Sequence, residues 1–270
     1  MQKMVEVKPD PQKTDVLNGD LVIHTFCSGV SIPLPASSSC DSLSGSVTVT
    51  EGNGSPAPAT GATIVSDNTQ VLTATIEQSA AFTLRAATAG LASVTATYQG
   101  QSASIRTRVL PHYAGHYTGE EEVMSCTATG DFEILFGCSS STFPKVGDRL
   151  AHDVEISQTL DQGVCTLDLG GGSSLTTPGT IAVDGGLFCP GPASTTLPNG
   201  LQFEASAYSA RHADKEHLDG SYTTTITAPG LSGSIRFESR LDRLERDVPP
   251  AATDSRAADP ARRGPEHHPR

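Results

Sequence analysis

HYAGHYTGEEEV, residues 112–123, sets two histidines four apart ahead of three consecutive glutamates, and whether it folds as helix or strand decides the architecture. On a helix His112 and His116 would share a face at zinc-binding spacing. On a strand they would also share a face, but ~13 Å apart at ~3.3 Å per residue, too far for one ion. Pro111, Gly115 and Gly119 all oppose a helix, so the stretch reads as a strand. Tyr113, Gly115 and Tyr117 then take the inner face. His112, His116 and Glu120–Glu122 take a solvated outer face or strand end. Calcium at Glu120–Glu122 would need about six converging oxygens, which this stretch does not bring together.

Strands continue outward on both sides. From 112 to 246 eight runs follow: YAGHYTGEEEV, ATGDFEILFGC, LAHDVEISQTL, GVCTLDLG, GTIAVDGGLFC, LQFEASAYSARH, GSYTTTITA and GSIRFESRL. Eight antiparallel strands suit an up-and-down barrel. Gly115-His116-Tyr117-Thr118 is echoed by Gly220-Ser221-Tyr222-Thr223, a glycine corner followed by an inward aromatic. Tyr117, Phe203 and Tyr222 are therefore expected inside the barrel. From 20 to 110 seven shorter runs, LVIHTF, GSVTVT, ATIVS, QVLTATI, AFTLRAA, ASVTATY and ASIRTRVL, are rich in Val, Thr and Ile and separated by turn residues. They point to an antiparallel sandwich, with YQGQS (98–102) as a tight hairpin. Residues 1–19 read as a polar lead segment and 247–270 as a disordered tail poor in apolar residues.

SDNTQVLTA, followed by FTLRAATAGLASVTATYQGQSASIRTRVL, resembles the second half of a bacterial Ig-like (Big2) domain. Gly90, Val94, Thr95, Ala96 and Gly100 fall at the positions of its pattern, and Ile64 stands where the family usually has a core Trp. The resemblance implies an Ig-like sandwich serving as a spacer or adhesive module. The Gly-x-aromatic start at Gly115 is similar to the lipocalin G-x-W, with Tyr117 in place of Trp. That likeness implies an arginine on the last strand, Arg236 or Arg240, covering the ring.

The formal charge of −12, from 18 basic against 30 acidic residues, argues against a nucleic-acid partner and against docking on an anionic membrane. No apolar run approaches the length of a membrane span. The six cysteines contain no C-x-x-C, so common zinc and iron–sulfur patterns are missing. Their spacing favours Cys27–Cys40, Cys126–Cys138 and Cys165–Cys189 among the fifteen possible pairings, with Cys165 and Cys189 on adjacent strands. Three disulfides imply an extracytoplasmic setting, periplasm or cell surface. Residues 1–20 hold no apolar leader core, and HTF before Cys27 is no lipobox, so export implies a leader absent from this chain.

No catalytic or metal constellation stands out, and no cofactor is expected. His152, Asp153 and Glu155 alternate as a half-exposed strand, and no G-x-S-x-G supplies a nucleophile. RHADKEH (211–217) reads as a polar turn, GGGSS (170–174) as a hairpin, Asp131 and Glu133 as surface, and EHH (266–268) as tail. The sequence thus describes a non-catalytic exported bacterial protein whose sandwich carries a binding or structural barrel, with a protein or glycan as partner. Two alternatives are a calycin-like carrier of a small apolar ligand, favoured by a lumen, and a hydrolase. Thiol titration of the denatured, unreduced chain should find no reactive thiol; six would remove the export argument.

Overall fold

The computed structural model describes residues 3–27, 34–129, 144–168, 174–191, 193–196, 202–228 and 231–243, and it is all-β. The sandwich is built from β1 (Lys3–Pro9), β2 (Asp15–Leu17), β3 (Asp20–Thr25), β4 (Ser42–Glu51), β5 (Ala57–Pro58), β6 (Thr63–Ser66), β7 (Leu72–Ile76), β8 (Ala81–Ala86), β9 (Gly90–Tyr98) and β10 (Gln101–Pro111). One sheet runs β1-β4-β8-β7 with β5 on β4; the other runs β2-β3-β10-β9-β6. Alternation drives both. In β4, Val47 and Val49 point into the core, and in β9 Ala92, Val94 and Ala96 do the same.

Two features differ from the sequence reading. Residues 3–9, expected outside the fold, pair in full with β4 and bury Val5 and Val7. The sandwich is also not wholly antiparallel, because β3 lies parallel to β10. The hairpin partner of β3 is the short β2, so β3 can fill the open edge of β10, where Asp20 pairs with Arg106 at 2.9 Å and Arg108 at 3.3 Å.

The barrel comprises β11 (Gly115–Thr129), β12 (Arg149–Thr159), β13 (Gln162–Asp168), β14 (Ser174–Ile181), β15 (Leu187–Cys189), β16 (Ala193–Thr196), β17 (Gln202–Ala205), β18 (Tyr208–His212), β19 (His217–Ala228) and β20 (Leu231–Arg243). Eight of these close a ring, β11-β12-β13-β14-β15-β18-β19-β20 and back to β11. The expected count of eight holds by a different division of the chain. GTIAVDGGLFC is two strands, β14 and β15, joined through a turn at 182–186. LQFEASAYSARH breaks at Ser206–Ala207 into β17 and β18, which pair with successive halves of β19. The expected strand ATGDFEILFGC falls largely outside the described residues, as do Cys138, Asp131, Glu133, the glycines of GGGSS and the 247–270 tail with EHH.

Burial alternates strictly along β14, from Leu175 to Ile181, so one side of each stave faces a shared interior. The cluster filling it includes Tyr113, Tyr117, Tyr208, Tyr222 and Phe237, and it takes in Val22 and Leu110 from the sandwich. The two units therefore pack through one apolar body rather than through a bare linker.

Disulfides join Cys27 to Cys40 and Cys165 to Cys189, with Cα separations of 6.1 and 6.3 Å. No described cysteine is free; Cys126 lies on β11, and its expected partner Cys138 is outside the described residues. Cys165 and Cys189 are not on adjacent strands as expected. They reach across β14 inside the barrel, and Gly179 is what lets them. A Cβ there would lie 2.3 Å from the Cys189 Sγ and 3.0 Å from the Phe188 carbonyl oxygen. Gly179→Ala is expected to lower the unfolding free energy by about 1–3 kcal/mol through overpacking, read from denaturant melts of the oxidised protein.

Candidate functional site

Two buried polar clusters and one outer groove make up the chemistry of the barrel. The first cluster grows from β11. Tyr117 starts the inward face, and Gly119, Glu121 and Val123 follow it at two-residue steps, so the middle glutamate of the EEE run points inside. Glu121 is 6 % exposed, contrary to the solvated face expected for it, while Glu120 stays outside. The Tyr222 hydroxyl donates to Glu121 Oε2 at 2.6 Å, and His152 Nδ1 lies 3.2 Å from the same oxygen. His152 stacks on Tyr222, which stacks in turn on Phe237, with ring centroids 5.4 and 5.1 Å apart.

His152 is also buried, not half-exposed, because it shares the β12 face of Val154 and Ile156. Burial raises the Glu121 carboxyl to about 7, against a bond from Tyr222 that favours the anion. Burial likewise lowers the His152 imidazole to about 4. Both shifts favour the neutral form, so burial works against an ion pair between them. Tyr222 is raised as well, first by burial and then by Glu121. On the neighbouring strand the Tyr208 and Ser239 hydroxyls both crowd Gly220, where a Cβ would meet them at 2.5 and 2.8 Å.

The second cluster sits where the sandwich meets the barrel. Tyr117 is fully buried, and its hydroxyl donates to the Tyr113 carbonyl at 2.7 Å. The arginine over its ring is neither Arg236 nor Arg240. Those two alternate outward on β20, whereas Arg243 lies directly opposite Tyr117 in the β11–β20 register. Its guanidinium carbon is 5.2 Å from the ring centroid, and Nε donates to the Tyr117 hydroxyl at 3.0 Å. Nη1 donates to the Phe26 carbonyl at 2.7 Å, and Nη2 donates to the His112 carbonyl. Phe26 holds φ +62°, a left-handed conformation costing a non-glycine residue roughly 1–2 kcal/mol.

His112 is 3 % exposed, not solvated, because residues 112–114 run between the two units where neither side faces water. His212, in the expected polar turn, is buried too and stacks on Tyr113 with centroids 4.5 Å apart. Its Nδ1 lies 3.1 Å from the Asp214 carbonyl oxygen, which fits the Nδ1–H tautomer; Nε2 then accepts from Arg243 Nη2 at 3.2 Å and stands 3.2 Å from the His112 carbonyl oxygen as well. That arrangement requires neutral imidazole. Burial first, then nearby cationic groups, lowers His112 to about 3, and burial followed by Arg243 lowers His212 to about 4. Among the described residues no group of three or more His, Cys, Asp or Glu side chains could hold a metal ion.

Of the residues singled out from sequence, Tyr117 and Tyr222 lie in the interior, one in each cluster, and Phe203 is partly buried against the same core. His116 is half-buried on β11, and Asp153 and Glu155 alternate with the inward residues of β12. His217 pairs with Asp214 at 2.7 Å at the barrel surface. Sequence reading does not place Glu121, His152, His112, His212 or Arg243 in the interior; for all but His112, strand parity carries the signal.

The outer wall bears a groove of about 1270 Å³ running over β11, β20, β19 and β18. The pairing register sets Glu120 beside Arg240, Arg240 beside Asp219, and Asp219 beside Arg211, a row of alternating sign. Phe188, 46 % exposed, and Met124, 42 % exposed, add apolar surface to the groove lining.

No protein-family model matches the chain, and no curated protein is significantly similar to it. Among solved structures, domains 5–6 of the S-layer protein SbsC are 11 % identical over 85 % of this chain and 97 % of that one, with a TM-score of 0.27. An overlap at that score carries no argument about role.

Replacing Glu121 by Gln keeps an acceptor for Tyr222 and removes the titration. The folded carboxyl is raised from 4.5 to about 7, so its contribution to stability is complete below pH 4.5 and lost as pH rises through 7. Between pH 5 and 8 the wild type should therefore lose roughly 2–3 kcal/mol more than E121Q, measured by urea unfolding at each pH.

Proposed function

We propose that the protein is a non-catalytic extracytoplasmic module in which an Ig-like, Big2-type sandwich presents a solid β-barrel, and that recognition of a protein or glycan partner takes place on the barrel's outer wall. The observation that carries this reading is the filled interior. Tyr113, Tyr117 and Tyr208 are among the largest fully buried side chains, and the Cys165–Cys189 bridge crosses the same space. A carrier of a small apolar ligand needs a lumen where these groups stand.

The carboxyl–imidazole pair Glu121–His152 supports a structural role in place of a catalytic one. Both residues are sealed from solvent, and Glu121 is bonded to a buried tyrosine. Two described disulfides support an oxidising location. Among the described residues no helix is long and apolar enough to cross a membrane. The alternating charges of the groove favour a polar partner, because each would exchange a cross-strand contact for an equivalent one to the ligand.

Titration with the fluorescent apolar probe N-phenyl-1-naphthylamine tests the central point. Emission is expected to rise weakly and without saturation. Saturable one-to-one binding, lost when Ala210 is enlarged to Phe, would restore the carrier reading.

A further inference from the structure

We propose that the junction between sandwich and barrel is a proton-operated hinge: acidification releases the barrel from the sandwich by charging His112 and His212 beside the guanidinium of Arg243, which is already buried there. Three histidines and one arginine converge at this point. His24 on β3 meets His112 edge-on, with ring centroids 5.9 Å apart. His212 Nε2 is 3.2 Å from Arg243 Nη2, and its ring packs 5.2 Å from that of Phe26. Arg243 reaches across to the sandwich through the Phe26 carbonyl, and the His112 amide donates to the Thr25 carbonyl at 2.8 Å. The contacts joining the two units thus pass through the groups that would gain charge.

The charged neighbours from each packed element cannot absorb those protons. On β2, Asp15 acts on His24 alone. On the barrel side, Arg211 of β18 and Asp184 of the 182–186 turn are paired with each other at 2.6 Å. Asp214 offers His212 its carbonyl, while its carboxylate takes His217. Arg243 itself is bonded to two carbonyls, to the Tyr117 hydroxyl and to His212, all uncharged partners. Tyr113 and Tyr117 are held neutral by burial. A proton arriving on either histidine therefore meets a like charge, and on His212 Nε2 it replaces the bond from Arg243 by one to the His112 carbonyl, 3.2 Å away, which Arg243 already uses.

The sign follows directly. Both imidazoles have folded values below the ordinary 6.5, so their contribution is complete above pH 6.5 and is lost as pH falls toward 4 for His212 and 3 for His112. At pH 5 each histidine favours the open junction by about 30-fold, and the two together by about 10³-fold. His24, also lowered by burial, acts in the same direction. Glu121 is not at the junction and does not enter this equilibrium.

Hydrogen exchange of the full chain, followed by mass spectrometry and corrected for the intrinsic rate, tests the hinge. Between pH 7.5 and 5 the opening constant of residues 107–118 should rise about 10³-fold while residues 154–167 inside the barrel stay protected. The H112Q/H212Q variant should show a rise of less than tenfold. A pH-independent junction, a rise shared equally by 154–167, or an undiminished rise in H112Q/H212Q would each overturn the proposal. If that variant does not fold, the comparison of the two wild-type segments decides the question by itself.

Discussion

The guanidinium of Arg243 is the point on which the barrel's closure and its union with the sandwich both depend. It sits at the end of β20, 7 % exposed, with no carboxylate bonded to it among the described residues. Burying such a cation is costly unless its donors are satisfied. Here they are met by the carbonyl of Phe26 in the sandwich, the carbonyl of His112 in the linker, and the hydroxyl of Tyr117 on the first barrel strand. One side chain therefore ties chain positions 26, 112, 117 and 243 together. The same requirement fixes its surroundings. His212 has to be neutral to accept from it, and Phe26 takes a backbone conformation that ordinary residues avoid.

Inside the barrel the constraint is volume. Tyrosines are large and carry a hydroxyl that gains from a bonding partner, so they favour small residues opposite them and acceptors within reach. Gly220 lies under the Tyr208 ring, Gly179 under the disulfide, and Ala205 and Ala210 alternate with the larger side chains on the same interior face. The Tyr222 hydroxyl finds Glu121, and the Tyr117 hydroxyl finds the Tyr113 carbonyl. Because Tyr222 donates to Glu121, the carboxyl group is part of the packing solution, and its raised pKa is the cost of placing it there. Among the described residues the interior is filled by tyrosines and is polar at chosen points, which differs from an oily core.

Much of this was legible in the sequence, and its failures have two causes. Runs rich in Val and Thr at period two mark nearly every described strand, because alternation reflects a local fact about the backbone. Parity also held more than was taken from it. Counting by twos from Tyr117 reaches Glu121, counting back from Ile156 and Val154 reaches His152, and counting from Phe237 passes Ser239 and Leu241 to Arg243. Glu121 and His152 read as solvated or half-exposed because charged types usually lie at the surface, a statistical rule that gives way to strand geometry, and Arg243 is passed over for Arg236 and Arg240. Lys3–Pro9 is similar: Val5 and Val7 alternate with Met4, Glu6 and Lys8, but the partner strand lies some forty residues downstream. His112 is a different case: it lies between strands and is enclosed because two units meet around it, which no local pattern reports, whereas His212 continues the inward face of Tyr208 and Ala210.

The outer wall obeys the same electrostatics with water present. Opposite charges facing each other across strands stabilise a sheet modestly, about 0.2–1 kcal/mol per pair, and the row from Glu120 through Arg240 and Asp219 to Arg211 is built that way. The next row breaks the rule, since Glu122 stands directly opposite Glu238. Each of these glutamates has its own arginine, Arg149 at 3.4 Å and Arg236 at 3.1 Å, so the repulsion is offset from outside the pair. Such a surface is self-compensated when free, and it has donors and acceptors on both sides of the groove to offer a partner. Stability therefore resides in the buried tyrosines and the Arg243 network, while the face available for contact carries little of it.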